Sequence, residues 1–367
     1  MQKVKLGDVC EILDNQRVPI TASERKAGPY PYYGANGLQD HVDGYIFDDE
    51  LVLLAEDGGN FGSNEKPIAY RVSGKCWVNN HAHVLKPKDN IDVNYLCYSL
   101  MFYNVDGLVN GATRQKLTQK DMRKILIPLP PIEEQKAIAE KLDKVSSLIE
   151  KRKQQLSLLD TLVKSKFVEM FGDIIVNDKG WEIQLLGELC TIVRGGSPRP
   201  IEKFLGGDVP WIKIGDATDG DNIYLNSTKE HIIREGVSKS RMVKAGSLIF
   251  ANCGVSLGFA RIITFDGCIH DGWLAMENID SRLDKIFLLQ VLNQMTGYFR
   301  KTAPAGTQPN LNTTIMKEYK QIIPPMYLQK EFIHFIEQTE KIKAKIKQRL
   351  DALELLKKSL MQKYFGG

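Results

Sequence analysis

The sequence predicts an α+β fold in which two β-rich globular heads are joined by two long antiparallel coiled-coil helices, with an internal two-fold repeat. Residues 130–172 and 324–366 carry apolar residues in steps of three and four, with prolines only at the start and glycine only at the end, a pattern typical of coiled-coil helices. The residues around them form short apolar runs separated by Gly, Asn, Asp and Pro, as strands and turns do. We therefore expect a first head at 1–129, a central helix at 130–172, a second head at 173–323 and a distal helix at 324–367.

Both predicted helices begin at a proline pair, where a missing amide hydrogen costs little, and end before Gly172 or Gly366, where a left-handed cap favours glycine. Each spans about 60 Å. An apolar stripe of that length cannot stay exposed on a lone helix, so we expect the two helices to pack against each other. The stripe residues are Ile138, Leu142, Val145, Ile149, Leu156, Leu159, Val163 and Met170, then Phe332, Ile336, Ile346, Leu350, Leu353, Leu360 and Tyr364. Its polar interruptions are Arg152, Lys166, Thr339, Lys343 and Lys357.

The two halves of the chain match each other. Gln135 pairs with Gln329 and Leu142 with Ile336 at one offset (329 − 135 = 194). Near the start of each half, residues 6–10 match 186–190 at an offset of 180, so the second copy carries an insertion of 14 residues (194 − 180). The heads differ almost everywhere else, which suits one task performed on two targets.

The heads share an order of smaller elements. In the first head we predict strands at 45–47 and 51–54, on either side of the acidic residues 48–50, then strands at 68–72 and 82–85, a helix at 94–103, an exposed polar loop at 111–117 and a strand at 125–128. In the second head we predict strands at 209–214 and 247–251, a helix at 286–295, a polar loop at 306–311 and a strand at 322–323.

Composition narrows the class of protein. The 367 residues carry a net charge of +4, which permits nucleic-acid binding without requiring it. We expect a cytoplasmic protein, because no apolar run approaches the ~20 residues of a membrane span and no signal peptide is evident. The six cysteines form no C-x-x-C pair, so neither a disulfide framework nor a zinc finger is indicated.

Motifs for catalysis are not found. The sequence has no G-x-x-x-x-G-K-[ST] phosphate loop, no N-P-P-aromatic motif, no convincing nuclease cluster and no G-x-S-x-G elbow. His81 and His83 would suggest a metal pair, but we see no carboxylate or cysteine partner for them in the sequence. We therefore expect a hydrogen-bonding or base-contacting pair and no metal site.

The repeated unit resembles the specificity subunit of type I restriction-modification enzymes over nearly the whole chain. The resemblance rests on the polar loop G-A-T-R-Q-K-L or G-T-Q-P-N-L, which leads through I-P-L-P-P-I-E-E-Q or I-I-P-P-M-Y-L-Q into a helix ending in Phe-Gly. It implies that the heads are target-recognition domains, each reading one half of a split sequence in double-stranded DNA. It also implies that the helices pack antiparallel and dock methyltransferase subunits, two for each chain.

The same resemblance implies that this chain is not an enzyme. Methyl transfer from S-adenosylmethionine would belong to the methyltransferase subunits, and ATP- and Mg-dependent translocation and cleavage to a restriction subunit. Two other classes stay open: a stand-alone DNA-binding or regulatory protein, and a coiled-coil scaffold whose β heads bind carbohydrate or protein.

Candidate DNA contacts are the side chains whose donors and acceptors fit base edges, Arg and Lys for guanine and Asn and Gln for adenine, and the cations that bind phosphate. The same residues are also common in turns or simply solvated. In the first head they are Asn36, Asn60, Lys66, Asn79, Asn80, His81, Thr113, Arg114, Gln115 and Lys116. In the second head they are Arg194, Ser197, Arg199, Lys213, Asn252, Thr307, Gln308 and Asn310, of which the basic, flexible loop at 194–199 is favoured.

The helices carry a second apolar fringe. It serves either as a docking surface for partner helices or as a wide face buried against the heads. Its residues are Leu148, Leu158, Leu162, Ile333, Phe335, Ile342 and Leu356.

If the two helices hold the heads a fixed distance apart, the length of the helices sets the length of the unread spacer between the half-sites. Inserting seven residues into both helices adds about 10 Å, or roughly three base pairs. Methylome sequencing of a strain carrying the lengthened protein should show a spacer longer by about that amount. An unchanged spacer would count against a spacer length set by the helices.

Overall fold

The chain divides into two compact units. This computed structural model describes residues 2–63, 65–111, 115–218, 223–254, 256–303 and 310–366. The first unit combines Met1–Gln154 with Lys347–Gly367, and the second comprises Gln155–Ile346. Each unit therefore contains one head and a part of both long helices.

The first unit is built on a six-stranded sheet in the order β2-β7-β5-β6-β3-β4. Its neighbouring strands are antiparallel except for β3 and β6, which are parallel. Two-stranded sheets join β1 to β10 and β8 to β9. The strands are β1 (Lys3–Lys5), β2 (Cys10–Ile12), β3 (Ala27–Gly34), β4 (Gly37–Val42), β5 (Phe47–Ala55), β6 (Ala69–Val78), β7 (Ala82–Pro87), β8 (Val109–Asn110), β9 (Lys116–Leu117) and β10 (Leu126–Pro128). The helices are α1 (Leu6–Val9), α2 (Val93–Met101), α3 (Gln119–Met122) and α4 (Ile132–Phe171), which continues into the second unit.

The second unit distributes its strands between a five-stranded sheet, β12-β20-β17-β18-β14, and a four-stranded sheet, β15-β13-β19-β16. Strand β11 pairs with β21. The strands are β11 (Glu182–Leu185), β12 (Thr191–Arg194), β13 (Leu205–Ile212), β14 (Tyr224–Leu225), β15 (Glu230–Ile232), β16 (Arg241–Val243), β17 (Leu248–Ala251), β18 (Ala260–Ile263), β19 (Gly267–Ile269), β20 (Trp273–Glu277) and β21 (Lys320–Ile323). The helices are α5 (Leu186–Leu189), α6 (Arg234–Val237), α7 (Lys285–Gln294), α8 (Thr296–Thr302), α9 (Thr313–Lys317) and α10 (Met326–Phe365), which ends in the first unit.

The long helices confirm the prediction. Helices α4 and α10 have 40 residues each, and Gly172 ends α4 at a φ of +73°, a conformation that glycine adopts without strain. Among the described residues, no helix is both long enough and apolar enough to cross a membrane.

The two helices run antiparallel, because in each unit the beginning of one lies against the end of the other. The core of the first unit joins Ile138 and Leu142, early in α4, with Leu360 and Tyr364, late in α10. In the second unit the roles are exchanged. Its core includes Phe167, late in α4, and Phe332, early in α10, and the centres of their rings lie 5.5 Å apart. Each head thus completes its core with one helix beginning and one helix end.

Two lysines that interrupt the apolar stripe of α10, Lys343 and Lys357, have pKa values shifted in opposite directions. Lys343 is only 5% exposed, and its Nζ lies 2.6 Å from Asp160 and 2.7 Å from Glu340. Burial alone would lower its pKa, but these two carboxylates raise it overall. Burial lowers the pKa of Lys357, with the positive charge of Lys153 contributing.

A buried glutamine joins each long helix to its head in the same way. Gln135 and Gln329 are both fully buried. In each, Nε2 donates to the carbonyl of the proline five residues earlier, at 2.8 and 2.7 Å. Each Oε1 accepts from the backbone of the residue that caps the short helix, Asp92 before α2 at 2.9 Å and Asp284 before α7 at 2.8 Å. The glutamine matched between the two copies is therefore a structural link.

Three predictions about local structure are wrong. Residues 48–50 do not separate two strands, since β5 runs through them. Asp49 and Glu50 are held in this strand by cross-strand ion pairs with Lys86 and Arg71 at 2.7 and 2.6 Å. Tyr45 lies outside any strand. The first polar loop ends in strand β9, where Leu117 is fully buried.

Leucine at either glutamine should lower the free energy of unfolding by about 2–3 kcal/mol, because a buried N–H and a buried carbonyl lose their partners. Chemical denaturation of Gln135→Leu and Gln329→Leu measures the loss. Glu133→Gln, at an exposed position of the same turn of α4, serves as the control and should be neutral. Unaltered stability in both leucine variants would contradict the assigned link.

Candidate functional site

Some of the candidate contacts meet at one place in each head, the end of a central strand. In the first head the residue after β5, Glu56, donates its N–H to His81 O at 2.8 Å and accepts from Leu117 N–H at 2.7 Å. In the second head the residue after β17, Asn252, donates to Gly272 O at 2.9 Å and accepts from Leu311 N–H at 2.8 Å. The same three segments therefore meet in both heads: the end of the central strand, the residue before the strand that pairs with it (β7 or β20), and the end of the polar loop. We call this arrangement the strand-end site.

A buried charged cluster underlies the strand-end site of the first head. His83 Nδ1 lies 2.6 Å from Asp14 Oδ2, and His83 Nε2 lies 2.9 Å from Leu117 O. Glu56 Oε2 accepts from Arg17 Nη1 at 2.6 Å, and its Oε1 lies 2.9 Å from Lys116 Nζ. The cluster thus holds the end of the polar loop through both main-chain and side-chain contacts.

Ion pairing keeps both carboxylates of this cluster charged. Burial on its own would raise the pKa of Asp14, but the hydrogen bond and charge of His83 lower it overall. Burial would likewise raise the pKa of Glu56, but hydrogen bonds from Arg17 and Lys116 lower it overall.

The expectation that the histidine pair has no carboxylate partner is wrong. His81 Nδ1 lies 2.6 Å from Asp57 Oδ1 at the surface, whereas His83 is buried on Asp14. Donor atoms of Asp14, Glu56 and His83 lie within 4.8 Å of one another, close enough to hold a metal ion. The carboxylate oxygens already accept from Arg17, Lys116 and His83, so the chain's own cations balance this cluster.

Other candidates of the first head support its loops. Asn79 is 3% exposed; its Oδ1 accepts from His81 N–H at 2.8 Å and its Nδ2 donates to Gln39 at 3.1 Å, so it holds His81 and does not reach a ligand itself. Asn36 and Asn60 donate to backbone carbonyls of the loop after β5, at 3.0 and 3.5 Å. Lys66, Asn80, Gln115 and Lys116 are exposed. Thr113 and Arg114 lie outside the described residues.

The basic loop of the second head is pinned, contrary to the expectation of a flexible loop. Its Gly195 and Gly196 N–H groups donate to Trp273 O and Ile269 O at 2.9 and 3.0 Å. Ser197 Oγ donates to Asp271 Oδ1 at 2.8 Å, and Arg194 Nε donates to Asp271 O at 2.9 Å. A Cβ at residue 195 would lie 2.1 Å from His270 O, so only glycine fits.

Three predicted basic residues come together around His270. Burial lowers the pKa of His270, and the positive charges of Lys213, Arg199 and Arg194 lower it further against the opposing charge of Asp271. Lys213 Nζ also pairs with Glu230 at 2.6 Å. The Trp211 ring lies 5.5 Å from the His270 ring. Sequence reasoning missed Trp211 and His270, because no motif marks either residue.

Asn252 is fully buried and cannot contact a ligand directly, unlike the prediction. Its Nδ2 donates to Asn310 Oδ1 at 3.1 Å, so it supports a partly exposed neighbour from the polar loop. Thr307 and Gln308 lie outside the described residues.

The second apolar fringe of the helices divides between the two alternatives. Ile333 is buried in the core of the second unit, and Phe335 packs against that core, so these two serve packing within the chain and not docking. The exposed members, which keep the docking prediction open, are Leu148, Leu158, Leu162, Ile342 and Leu356.

Comparison with known proteins agrees with the repeat. Residues 1–158 and 178–355 each match the family described as the type I restriction modification DNA specificity domain. A Haemophilus influenzae protein named as a type I restriction enzyme specificity subunit is 28% identical, over 91% of this chain and 86% of the relative. The MjaVIII specificity subunit of Methanocaldococcus jannaschii is 24% identical, over 99% and 92%.

Solved structures share the fold. The S subunit of the type I restriction-modification system from M. genitalium superposes with a TM-score of 0.60 at 16% identity, covering 99% of this chain and 96% of that one. A chain from a structural study of type I complex assembly gives 0.61 at 18% identity, covering 99% and 97%.

Acid should destabilise the first unit through the buried cluster. Because the folded state lowers the pKa of Asp14 and Glu56, each adds stability above its unfolded pKa and loses it as pH falls through its folded pKa, below about pH 4. Asp14→Asn should cost about 3 kcal/mol at pH 7 and flatten the decline in acid. Urea denaturation between pH 7 and pH 3 measures both effects, with Glu65→Gln as an exposed control. A variant with the wild-type pH profile would contradict this assignment.

Proposed function

Since the chain belongs to the type I restriction modification DNA specificity family in both of its halves, we propose that each head reads one half of a bipartite target in double-stranded DNA. The chain is the specificity subunit of such a system and not the enzyme that modifies or cuts DNA. The alternatives, a solitary regulator or a scaffold with ligand-binding heads, are not favoured by the family match or by the relatives.

The observation that supports two different half-sites is the repeated strand-end site. Its main-chain hydrogen bonds are the same in both heads, but its side chains are not. The first head exposes Lys116 there, supported by Glu56 and Arg17, and the second exposes part of Asn310, supported by Asn252. A common frame with an unlike exposed side chain in each head presents different donors and acceptors, which is the basis of base-specific reading.

Phosphate contacts and base contacts have different candidates. Arg194, held by Asp271 O, Lys213, paired with Glu230, and the exposed Arg199 form a group of cations around His270 suited to phosphate or guanine. The polar-loop residues, with Lys66, Asn80 and His81 in the first head, are the candidates for base edges. Phosphate contacts hold the register on the duplex, and base contacts supply the selectivity.

The specificity subunit acts together with methyltransferase and restriction subunits. We assign two methyltransferase subunits to each chain, docked on the exposed fringe of α4 and α10. S-adenosylmethionine, ATP and Mg would act in those partners and not in this chain. Copurification from the source cell tests the association, and the mass of the complex tests the ratio.

Exchange of one head should change one half-site only. Replacing residues 14–120 with those of a different specificity subunit leaves both long helices and the second head intact, so the second half-site should persist. Methylome sequencing of a strain carrying the partner subunits reads both halves at once. The reciprocal exchange within the second head is the matched control. A change in both half-sites after either exchange would refute independent reading.

A further inference from the structure

The two polar loops are anchored at equivalent positions by different side-chain chemistry. The backbone of Lys116 forms an isolated antiparallel β-bridge with the backbone of Asp57 in the first head, and Asn310 forms the same β-bridge with Cys253 in the second. The two loops therefore end in the same register. The residue before each bridge partner then contacts the loop side chain: Glu56 Oε1 lies 2.9 Å from Lys116 Nζ, and Asn252 Nδ2 lies 3.1 Å from Asn310 Oδ1.

We propose that Glu56 and Asn252 are positioning residues for DNA reading, which set the direction in which Lys116 and Asn310 are presented without touching DNA themselves. This inference rests on the proposed function and names residues that act within it.

Glu56 is suited to this role because its own position is fixed. It is 8% exposed, and Arg17 Nη1 donates both to Glu56 Oε2 at 2.6 Å and to Ala82 O at 2.7 Å. With Oε2 fixed from the sheet side, Oε1 has one direction available for Lys116. The Lys116 side chain is 50% exposed, and an ammonium has three donors. One donor bonds Glu56, and the remaining donors can reach a base edge or a phosphate.

Holding Lys116 in advance reduces the conformational entropy lost on binding. An unrestrained lysine side chain loses roughly 1.5–2 kcal/mol of rotamer freedom when it is ordered, and preorganisation avoids much of that loss at the moment of binding. The carboxylate of Glu56 therefore contributes to affinity at one half-site although it faces the protein interior.

Asn252 acts by hydrogen bonding to the oxygen of the Asn310 side-chain amide. Since its Nδ2 donates to Asn310 Oδ1, the amide group of Asn310 is held with its Nδ2 donors directed away from Asn252. In both heads the anchor therefore leaves a donor on the loop residue. Donors of this kind select acceptors on the DNA: N7 and O6 of guanine, N7 of adenine, or O4 of thymine.

The test uses the complex of this chain with its methyltransferase subunits and a duplex carrying the mapped target. Two further duplexes each have one half-site scrambled, and the head exchange identifies which half-site belongs to the first head. The ratio of affinity for the intact duplex to affinity for a scrambled one, from anisotropy titrations, measures what each head contributes.

Glu56→Gln should lower the ratio of the first head about tenfold, as expected for loss of a charge-assisted contact, and leave the ratio of the second head unchanged. Lys116→Met should have a similar effect. Because Glu56 acts through Lys116, the double variant should lose no more than the weaker-binding single variant. Glu50→Gln, which removes a carboxylate paired with Arg71 elsewhere on β5, is the control and should leave both ratios unchanged.

The second head provides the reciprocal experiment. Asn252→Leu should lower only the ratio of the second head, and Asn252→Leu with Asn310→Ala should lose no more than the weaker-binding single variant. The thermal melting temperature is recorded for each variant, since a general loss of structure would lower it and reduce both ratios together.

Three results would overturn the inference: losses that multiply in the double variants, an unaltered ratio in Glu56→Gln and Asn252→Leu, or equal reduction of both ratios in either variant. If the wild-type complex shows no preference for the mapped duplex over either scrambled one, the proposed function itself fails, and this result is distinct from the other three.

Discussion

The burial of one helix beginning and one helix end in each head is the constraint on which the rest of the structure depends. Neither unit has a complete core without both contributions, since Ile138 and Leu142 meet Leu360 in one unit and Phe167 meets Phe332 in the other. Aromatic and aliphatic side chains buried in this way supply most of the favourable free energy of folding. The antiparallel direction follows from this exchange, because each unit needs opposite ends of the two helices.

The second constraint is polar. Gln135 and Gln329 connect the start of each helix to the cap of the short helix in its head, and both are fully buried. Each amide bonds three backbone groups, because its Nε2 also donates to a second carbonyl, that of Asn90 or Arg282. Such a buried amide tolerates little displacement, since any loss leaves an unsatisfied donor or acceptor. Apolar packing along the helices supplies stability, and these glutamines define how each head is attached to its own helix.

The strand-end sites show how two readers arise from one duplicated frame. The frame consists of main-chain hydrogen bonds, which do not depend on side-chain identity, so it is the same in both heads although their side chains differ. The first head has a compensated charge cluster around Glu56, and the second has a neutral amide pair beside a pinned basic loop. Under the proposed function, this separation lets each head present its own side chain to a half-site on a common main-chain frame.

The sequence by itself determined the repeat, the two long helices and the specificity-subunit family, because helical periodicity, proline and glycine boundaries and a fixed offset are all local in the chain. It did not determine which polar residues reach the surface. Asn252 and Asn79 carry side-chain amides that fit a base edge, but the fold buries them behind Asn310 and His81. Nor did it identify the Asp14, Arg17, Glu56 and His83 cluster, whose members are as much as 69 residues apart. Burial and ion pairing at such separations depend on sheet order and strand register, which are properties of the folded chain and not of any local segment.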